Sequence, residues 1–135
     1  MYSIPERLEY HQLRLELLED RHLEGLRQAA LNPRIWEFMP YSLLNEASFE
    51  KFISQVRKQA ENNTRLLYPI IHKQKECIIG ASSLMHPDED NLKIEIADTW
   101  IMPEYWGTGL HAETKFLLME FCFSENDMAD RKSVV

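Results

Sequence analysis

The stretch Ile94-Glu95-Ile96-Ala97-Asp98-Thr99-Trp100-Ile101-Met102-Pro103-Glu104-Tyr105-Trp106-Gly107-Thr108-Gly109-Leu110-His111 decides the fold of this chain. Leu92, Ile94 and Ile96 recur at the period of two that marks a strand, and the run continues to Ile101. Met102-Pro103 interrupts it, and a turn with glycine at 107 and 109 follows. From about Thr108 to Phe123 a helix is predicted, and its later part, Phe116 to Phe123, is apolar nearly all round, as in a helix covered on more than one side. A strand that runs into a two-glycine turn and then a helix aims successive backbone N–H groups, and the positive end of the helix dipole, at one point. Glycine is needed where the backbone must approach phosphate oxygens closely or turn sharply. On the glycines alone two readings stand side by side, a phosphate or pyrophosphate cradle and a plain tight turn before a helix.

Working outward, Leu66–His72 and Cys77–Met85 read as an antiparallel hairpin joined by Lys73-Gln74-Lys75-Glu76. Pro69 and Gly80 each mark a bulge, an edge or a close backbone approach. His86–Asn91 is a turn by composition. Further upstream a helix is expected from Glu46 to Asn62, capped by Asn45, with Phe49, Phe52, Ile53, Val56 and Ala60 at helical spacing. Ile35–Tyr41 is a packed loop bounded by prolines, preceded by a short helix capped by Asp20 and ending near Leu31. His11–Leu17 alternates as a first strand, and Lys132–Val135 reads as the start of a last one. The order is strand, helix, helix, three strands, helix. It predicts an α+β fold in one domain, residues 1–135, which is a length one core can serve.

Composition narrows the function classes. A formal net charge of −7 with no basic cluster argues against a nucleic-acid partner. No apolar run reaches the length of a signal peptide or a membrane span, so the expectation is a cytoplasmic protein without membrane association. Cys77 and Cys122 read as reduced core residues, and the five histidines, without paired spacing, read as surface or edge groups rather than metal ligands. Gly107–Ala112 also matches the dinucleotide pattern G-x-G-x-x-A, but a hairpin precedes it where that pattern requires the first strand of a parallel unit. No G-x-x-x-x-G-K-[ST] motif is present.

The run from Ile94 to Leu110 resembles the signature of the GNAT superfamily of N-acetyltransferases. It is particularly similar to the branch containing the ribosomal-protein N-terminal acetyltransferases, with its glutamate-bearing strand, a tryptophan, Pro-x-Tyr-Trp-Gly-x-Gly, and a helix carrying Glu-x-Lys, here Glu113-Thr114-Lys115. Asn32–Pro40 and Ile79–Ser82 extend the likeness over nearly the whole chain. The chain departs from the pattern at Glu104, where Gln or Arg is usual, at Ala97 in place of a glycine, and at His111 where the branch often has Asn.

The resemblance implies an acyl-CoA N-acyltransferase fold, a mixed and mostly antiparallel sheet flanked by helices in three layers. It implies acetyl-CoA as donor, no metal, and a protein N-terminus or small amine as acceptor. Trp106, Gly107, Thr108, Gly109, Leu110 and His111 would hold the pyrophosphate, and Trp100, Ile101 and Met102 would pair with the pantetheine arm. An attacking amine must lose a proton, and Glu95 is the carboxylate on that strand suited to be its general base. Trp36, Phe38, Met39 and Tyr41 would wall the acceptor pocket. In the family the sheet continues beyond the position reached at Val135, so the reading is of a C-terminally incomplete domain lacking the last helix and strands. A weak catalyst that forms a homo-oligomer through an open sheet edge is then expected. The alternative is a non-catalytic, acyl-CoA-binding or self-associating remnant of the fold.

Overall fold

The alternating runs form one antiparallel sheet in the computed structural model, which describes residues 6–62, 64–88 and 93–125. Its strands lie side by side in chain order: β1 (Arg7–Glu9), β2 (Leu13–Glu16), β3 (Arg65–His72), β4 (Cys77–Asp88) and β5 (Lys93–Ile101). The link from β2 to β3 carries two helices, α1 (Leu23–Ala29) and α2 (Glu46–Glu61), and α3 (Leu110–Glu125) follows β5. Successive strand side chains point to opposite faces, so each strand supplies both. On one face Leu13, Leu15, Tyr68, Ile70 and Leu84 meet Leu110, Leu117 and Leu118 of α3. On the other, Leu67, Ala81 and Trp100 meet Leu26 of α1 and Phe49, Phe52, Ile53 and Val56 of α2. Helices therefore cover both faces of the sheet in a three-layer α+β arrangement.

The hairpin of β3 and β4 and the helix α2 form where the residue pattern places them. Asn45 caps α2 by accepting a hydrogen bond from the Ser48 N–H at 2.7 Å. Other elements differ from expectation. The first strand shrinks to Leu13–Glu16 and gains a partner, β1, whose Leu8 pairs with Leu15. Asp20 opens a 3-10 turn, Asp20–His22, instead of capping a helix, and α1 ends at Ala29 rather than Leu31. β4 runs on to Asp88, through the first part of the predicted turn, whose residues 89–91 lie outside those described. So does the predicted strand Lys132–Val135. Cys77 is exposed rather than in the core, because it opens β4 directly after the polar turn. The Cys122 side chain falls outside the described ones.

Two irregularities shape β4 and β5. Ile70 pairs with Gly80 but Ile71 with Ile78, so Ile79 is an extra residue in β4. Pro69, which has no N–H to give a ladder, sits beside this bulge. On the other side of β4, Ala81 pairs with Trp100 and Ser83 with Ala97, leaving Asp98 and Thr99 opposite Ser82 alone. Asp98 takes the left-handed conformation, φ 55°.

His22, expected at a surface or an edge, is only 3% exposed. The reason is Glu16, itself 6% exposed on β2. Its Oε1 lies 2.8 Å from His22 Nε2 and 2.8 Å from Arg21 Nη2, and its Oε2 accepts from Arg14 Nε at 2.6 Å. His22 Nδ1 accepts from the Glu19 N–H at 2.9 Å, which leaves Nε2 as the donor to Glu16. Burial pushes the Glu16 pKa up, but hydrogen bonds from His22, Arg14 and Arg21 outweigh it and hold the carboxyl at about 2. A carboxyl depressed on folding stabilises the native state above its unfolded pKa and loses that contribution as the pH falls through its folded pKa. Urea midpoints should therefore drop from about pH 4.5 toward pH 2 in the native sequence. Glu16→Gln should be less stable at pH 7 by about 2 kcal/mol and show a flatter acid limb.

Candidate functional site

The far end of β5 is built by close backbone contact with β4. A Cβ placed on Gly80 would lie 2.1 Å from the Trp100 carbonyl oxygen, so only glycine lets the strands approach this closely. The Met102 N–H donates back to the Ile79 carbonyl at 2.8 Å. Antiparallel ladders alternate, so the intervening Ile101 turns its N–H and C=O outward, on the side where no strand pairs with β5 among the described residues. Trp106 Nε1 donates to that carbonyl at 2.8 Å and folds its indole along the edge. Of Trp100, Ile101 and Met102, Ile101 is thus the one whose backbone N–H faces out, while the Met102 N–H is spent within the sheet.

Beyond β5 the chain makes a 3-10 turn, Pro103–Tyr105, and then the glycine turn. Gly107 and Gly109 both have positive φ, 77° and 90°, and an added Cβ at either would meet nothing within 4 Å. The Glu113 N–H donates to the Gly109 carbonyl at 3.0 Å, which makes Gly109 the residue from which α3 begins. The N–H groups of Leu110, His111 and Ala112, in the first turn, have no intrahelical acceptor and point toward the turn. Glu113 anchors this helix end to the sheet by accepting from the Gln12 N–H at 3.0 Å, while Thr114, buried, donates to the Leu110 carbonyl at 2.9 Å. Glu104 is exposed and does not line the cavity described next.

A cavity of about 190 Å³ lies between three elements. Arg34, Ile35, Phe38 and Met39 form one wall, Thr99, Trp100 and Ile101 of β5 the second, and Trp106 and His111 the third. Phe38 is 92% exposed and Met39 half-buried, both at its rim. Trp36 is not in the wall. Asn32 accepts from the Arg34 N–H at 2.9 Å and starts a 3-10 turn, Pro33–Trp36, which turns the Trp36 indole into the core, where Nε1 donates to the Ala30 carbonyl at 2.9 Å. There it packs against Trp100 with ring centroids 5.1 Å apart and against Tyr41 at 5.7 Å. Trp100 Nε1 is buried and makes no hydrogen bond. Burial against the wall, and then the charge of Lys115, disfavour the protonated form of His111. A larger groove of about 900 Å³ runs between α1 and α2, but it touches neither β5 nor the glycine turn.

A polar cluster that sequence reading missed stands beside the aromatic one. Arg65 on β3 donates to Ser83 of β4 at 3.1 Å and to Asp98 of β5 at 2.5 Å, and its guanidinium lies 5.1 Å from the Phe52 ring centroid. Tyr41 stacks on Phe52, and its hydroxyl is buried with no hydrogen bond. Burial, and then the Asp98 carboxylate, push the Tyr41 pKa far up. Glu95 is half-buried on β5 and paired with Met85 in the ladder, and no cation pairs with it among the described residues. Ile96 packs toward α3, so Glu95 faces the α2 side. It stands five positions before Trp100, about 15 Å along the strand. The only sequence sign of the cluster was Asp98 and Thr99 breaking the alternation of an apolar strand.

Residues 12–134 match the sequence model of a family described as an acetyltransferase (GNAT) domain. No curated protein sequence matches the chain. Among solved structures, a GCN5-related N-acetyltransferase from Brucella melitensis superposes with a TM-score of 0.76 at 23% identity, covering 92% of this chain and 57% of that one. A spermidine N-acetyltransferase from Vibrio cholerae in complex with CoA and spermine matches with a TM-score of 0.63 at 22% identity, covering 84% and 64%. A proposed ribosomal-protein-serine acetyltransferase from Vibrio cholerae matches with a TM-score of 0.68 at 18% identity, covering 90% and 68%. The chain spans about three fifths of the length of the first solved structures it matches. Among the described residues no group of three His, Cys, Asp or Glu side chains is placed to hold a metal, and no helix is long and apolar enough to cross a membrane.

The close approach at Gly80 gives a test of how the site is built. Gly80→Ala should cost about 1–3 kcal/mol in urea unfolding, because the added methyl must push β5 away from β4. It should also shift the Trp100 fluorescence environment, since the displaced segment is Trp100–Ile101 itself.

Proposed function

The chain belongs to the GNAT acetyltransferase domain family, and from that premise we propose that residues 1–135 act as one domain that transfers an acetyl group from acetyl-CoA to a primary amine. The observation that carries this reading is the glycine turn. Gly107 and Gly109 open onto free space at the start of a sixteen-residue helix, with N–H groups and the helix dipole directed there. Trp106 to His111 surround the pyrophosphate in this reading. The outward Ile101 N–H is the backbone donor available to an extended amide arm, flanked by Trp100 and Met102. The thioester supplies an activated carbonyl, and the chain's own groups orient it and receive a proton.

The acceptor approaches from the α1–α2 side, with Phe38 and Met39 as its wall and Trp36 and Tyr41 behind them in the aromatic cluster. Glu95 is the proposed general base, taking the amine proton through intervening water given its distance up the strand. A protein N-terminus and a small amine are both carried as acceptors. The Pro-x-Tyr-Trp-Gly-x-Gly and Glu-x-Lys pattern supports the ribosomal-protein branch, in which the acceptor is a protein N-terminus. A cytoplasmic site of action goes with this donor.

A second reading is favoured by one observation, the outer edge of β5, which pairs with no strand among the described residues. In that reading the chain binds acyl-CoA and adds to a second copy through this edge without catalysing transfer. Light scattering combined with an acetyl-transfer assay separates the two. A monomer with turnover supports the enzyme, and an inactive dimer supports the module.

Calorimetric titration with acetyl-CoA should give binding heat, and NAD should give none; heat from NAD alone would overturn the coenzyme assignment. Gly109→Trp should abolish acetyl-CoA binding, because its side chain enters the open space at the turn. Glu95→Gln should lower turnover at neutral pH by about a hundredfold with coenzyme affinity intact. Equal rates for the two proteins across the pH range would remove Glu95 from the mechanism.

A further inference from the structure

The polar side chains lining the 190 Å³ cavity are Arg34, Thr99, Trp100, Trp106 and His111, and no carboxylate lines it. Two are already used. The Thr99 hydroxyl is 2.6 Å from the Ser82 hydroxyl, and Trp106 Nε1 donates to the Ile101 carbonyl. Trp100, Arg34 and His111 remain. Trp100 is 3% exposed, yet its indole N–H makes no hydrogen bond, and an indole N–H can only donate. A buried, unpaired donor is costly, so the partner it calls for is an uncharged or anionic acceptor atom such as a carbonyl oxygen.

Arg34 is exposed on the facing wall, and no carboxylate pairs with it among the described residues. Its guanidinium carbon sits 5.1 Å from the Trp106 ring centroid, and Trp106 directly precedes Gly107. Stacking of this kind holds the guanidinium plane while leaving its N–H groups free at the edge. His111, with its protonated form disfavoured, is a weak source of positive charge at neutral pH, so the fixed cation at this mouth is Arg34.

We propose, building on the coenzyme reading above, that Arg34 and Trp100 are the side-chain donors that hold the acyl carrier, Arg34 on a phosphate beside the glycine turn and Trp100 on an amide carbonyl of the arm. A ligand with amide carbonyls along its length and phosphate at one end satisfies both groups. A polyamine, which offers only cationic donors, satisfies neither.

The test titrates coenzyme A and pantetheine, which keeps the amide arm but has no phosphate, into the native protein, Arg34→Gln and Trp100→Phe. Arg34→Gln should weaken coenzyme A about tenfold or more and leave pantetheine unchanged, because a charge-assisted bond to phosphate is lost. Its coenzyme A affinity should also depend less on salt. Trp100→Phe should weaken both ligands by a similar factor of about five, with a thermal melt establishing that the fold survives. Since Trp100 is in the core and Arg34 on the surface, the Arg34 comparison decides the matter even if Trp100→Phe unfolds. An Arg34→Gln protein that binds coenzyme A normally, or that loses pantetheine equally, overturns the Arg34 assignment. A native protein that binds neither ligand overturns the coenzyme reading and this inference with it.

Discussion

Arg65 reaches from β3 across β4 to Asp98 on β5, touching Ser83 on the way, and the end of the sheet takes its shape from that span. Asp98 and Thr99 form the bulge that breaks the β5 ladder, and Asp98 adopts a backbone conformation that a non-glycine residue seldom takes. The ion pair holds it there. A largely buried pair of this kind returns little net stability once desolvation is counted, and its best-attested use is to specify one arrangement over others. Here the arrangement specified is the phase of β5 after the bulge. Trp100 turns toward α2, Ile101 toward α3, and the Ile101 N–H outward.

The cavity inherits that phase. Had the bulge been absent, Thr99 rather than Trp100 would alternate onto the α2 face, and the Trp36, Tyr41 and Trp100 cluster would have no common side. The bulge at Ile79 makes a matching adjustment in β4, and Gly80 allows the two strands to close over it. The segment Asn32–Met39 then lies over the end of β5, because Trp36 inserts into the aromatic cluster and draws its neighbours down. Arg34 and Phe38, on either side of Trp36, are left at the cavity mouth.

The two ends of β5 differ in charge for reasons rooted in different elements. At the α3 end the glycine turn, the free N–H groups of the first helical turn and Arg34 all favour an anion. Toward the start of β5, Glu95 supplies a carboxylate with no cation partner among the described residues, while the Asp98 carboxylate is paired with Arg65. Under the proposed function, a donor with phosphates would go to the first end and an acceptor amine to the second, the arrangement that direct transfer between two bound partners requires.

The hairpin, α2 with its Asn45 cap, and the strand, glycine turn and helix of residues 93–125 were legible in the residues, because each rests on local rules of periodicity, capping and backbone freedom. Family resemblance was legible for the same reason, since its motif is contiguous. What local rules do not encode went unread. β1 is too short to show a period. His22 is buried because Glu16, Arg14 and Arg21 converge on one another from separate positions. Trp36 and Phe38 look alike in sequence, two aromatics in one loop, yet one is core and the other exposed, since a 3-10 turn decides which way each points. Sequence by itself determined the hairpin, α2, β5 and α3, their order, and the two-glycine turn between β5 and α3. Only tertiary structure decided which side chains face the cavity, because a one-residue bulge in β5, held by an arginine more than thirty positions away, reverses the face of every residue beyond it.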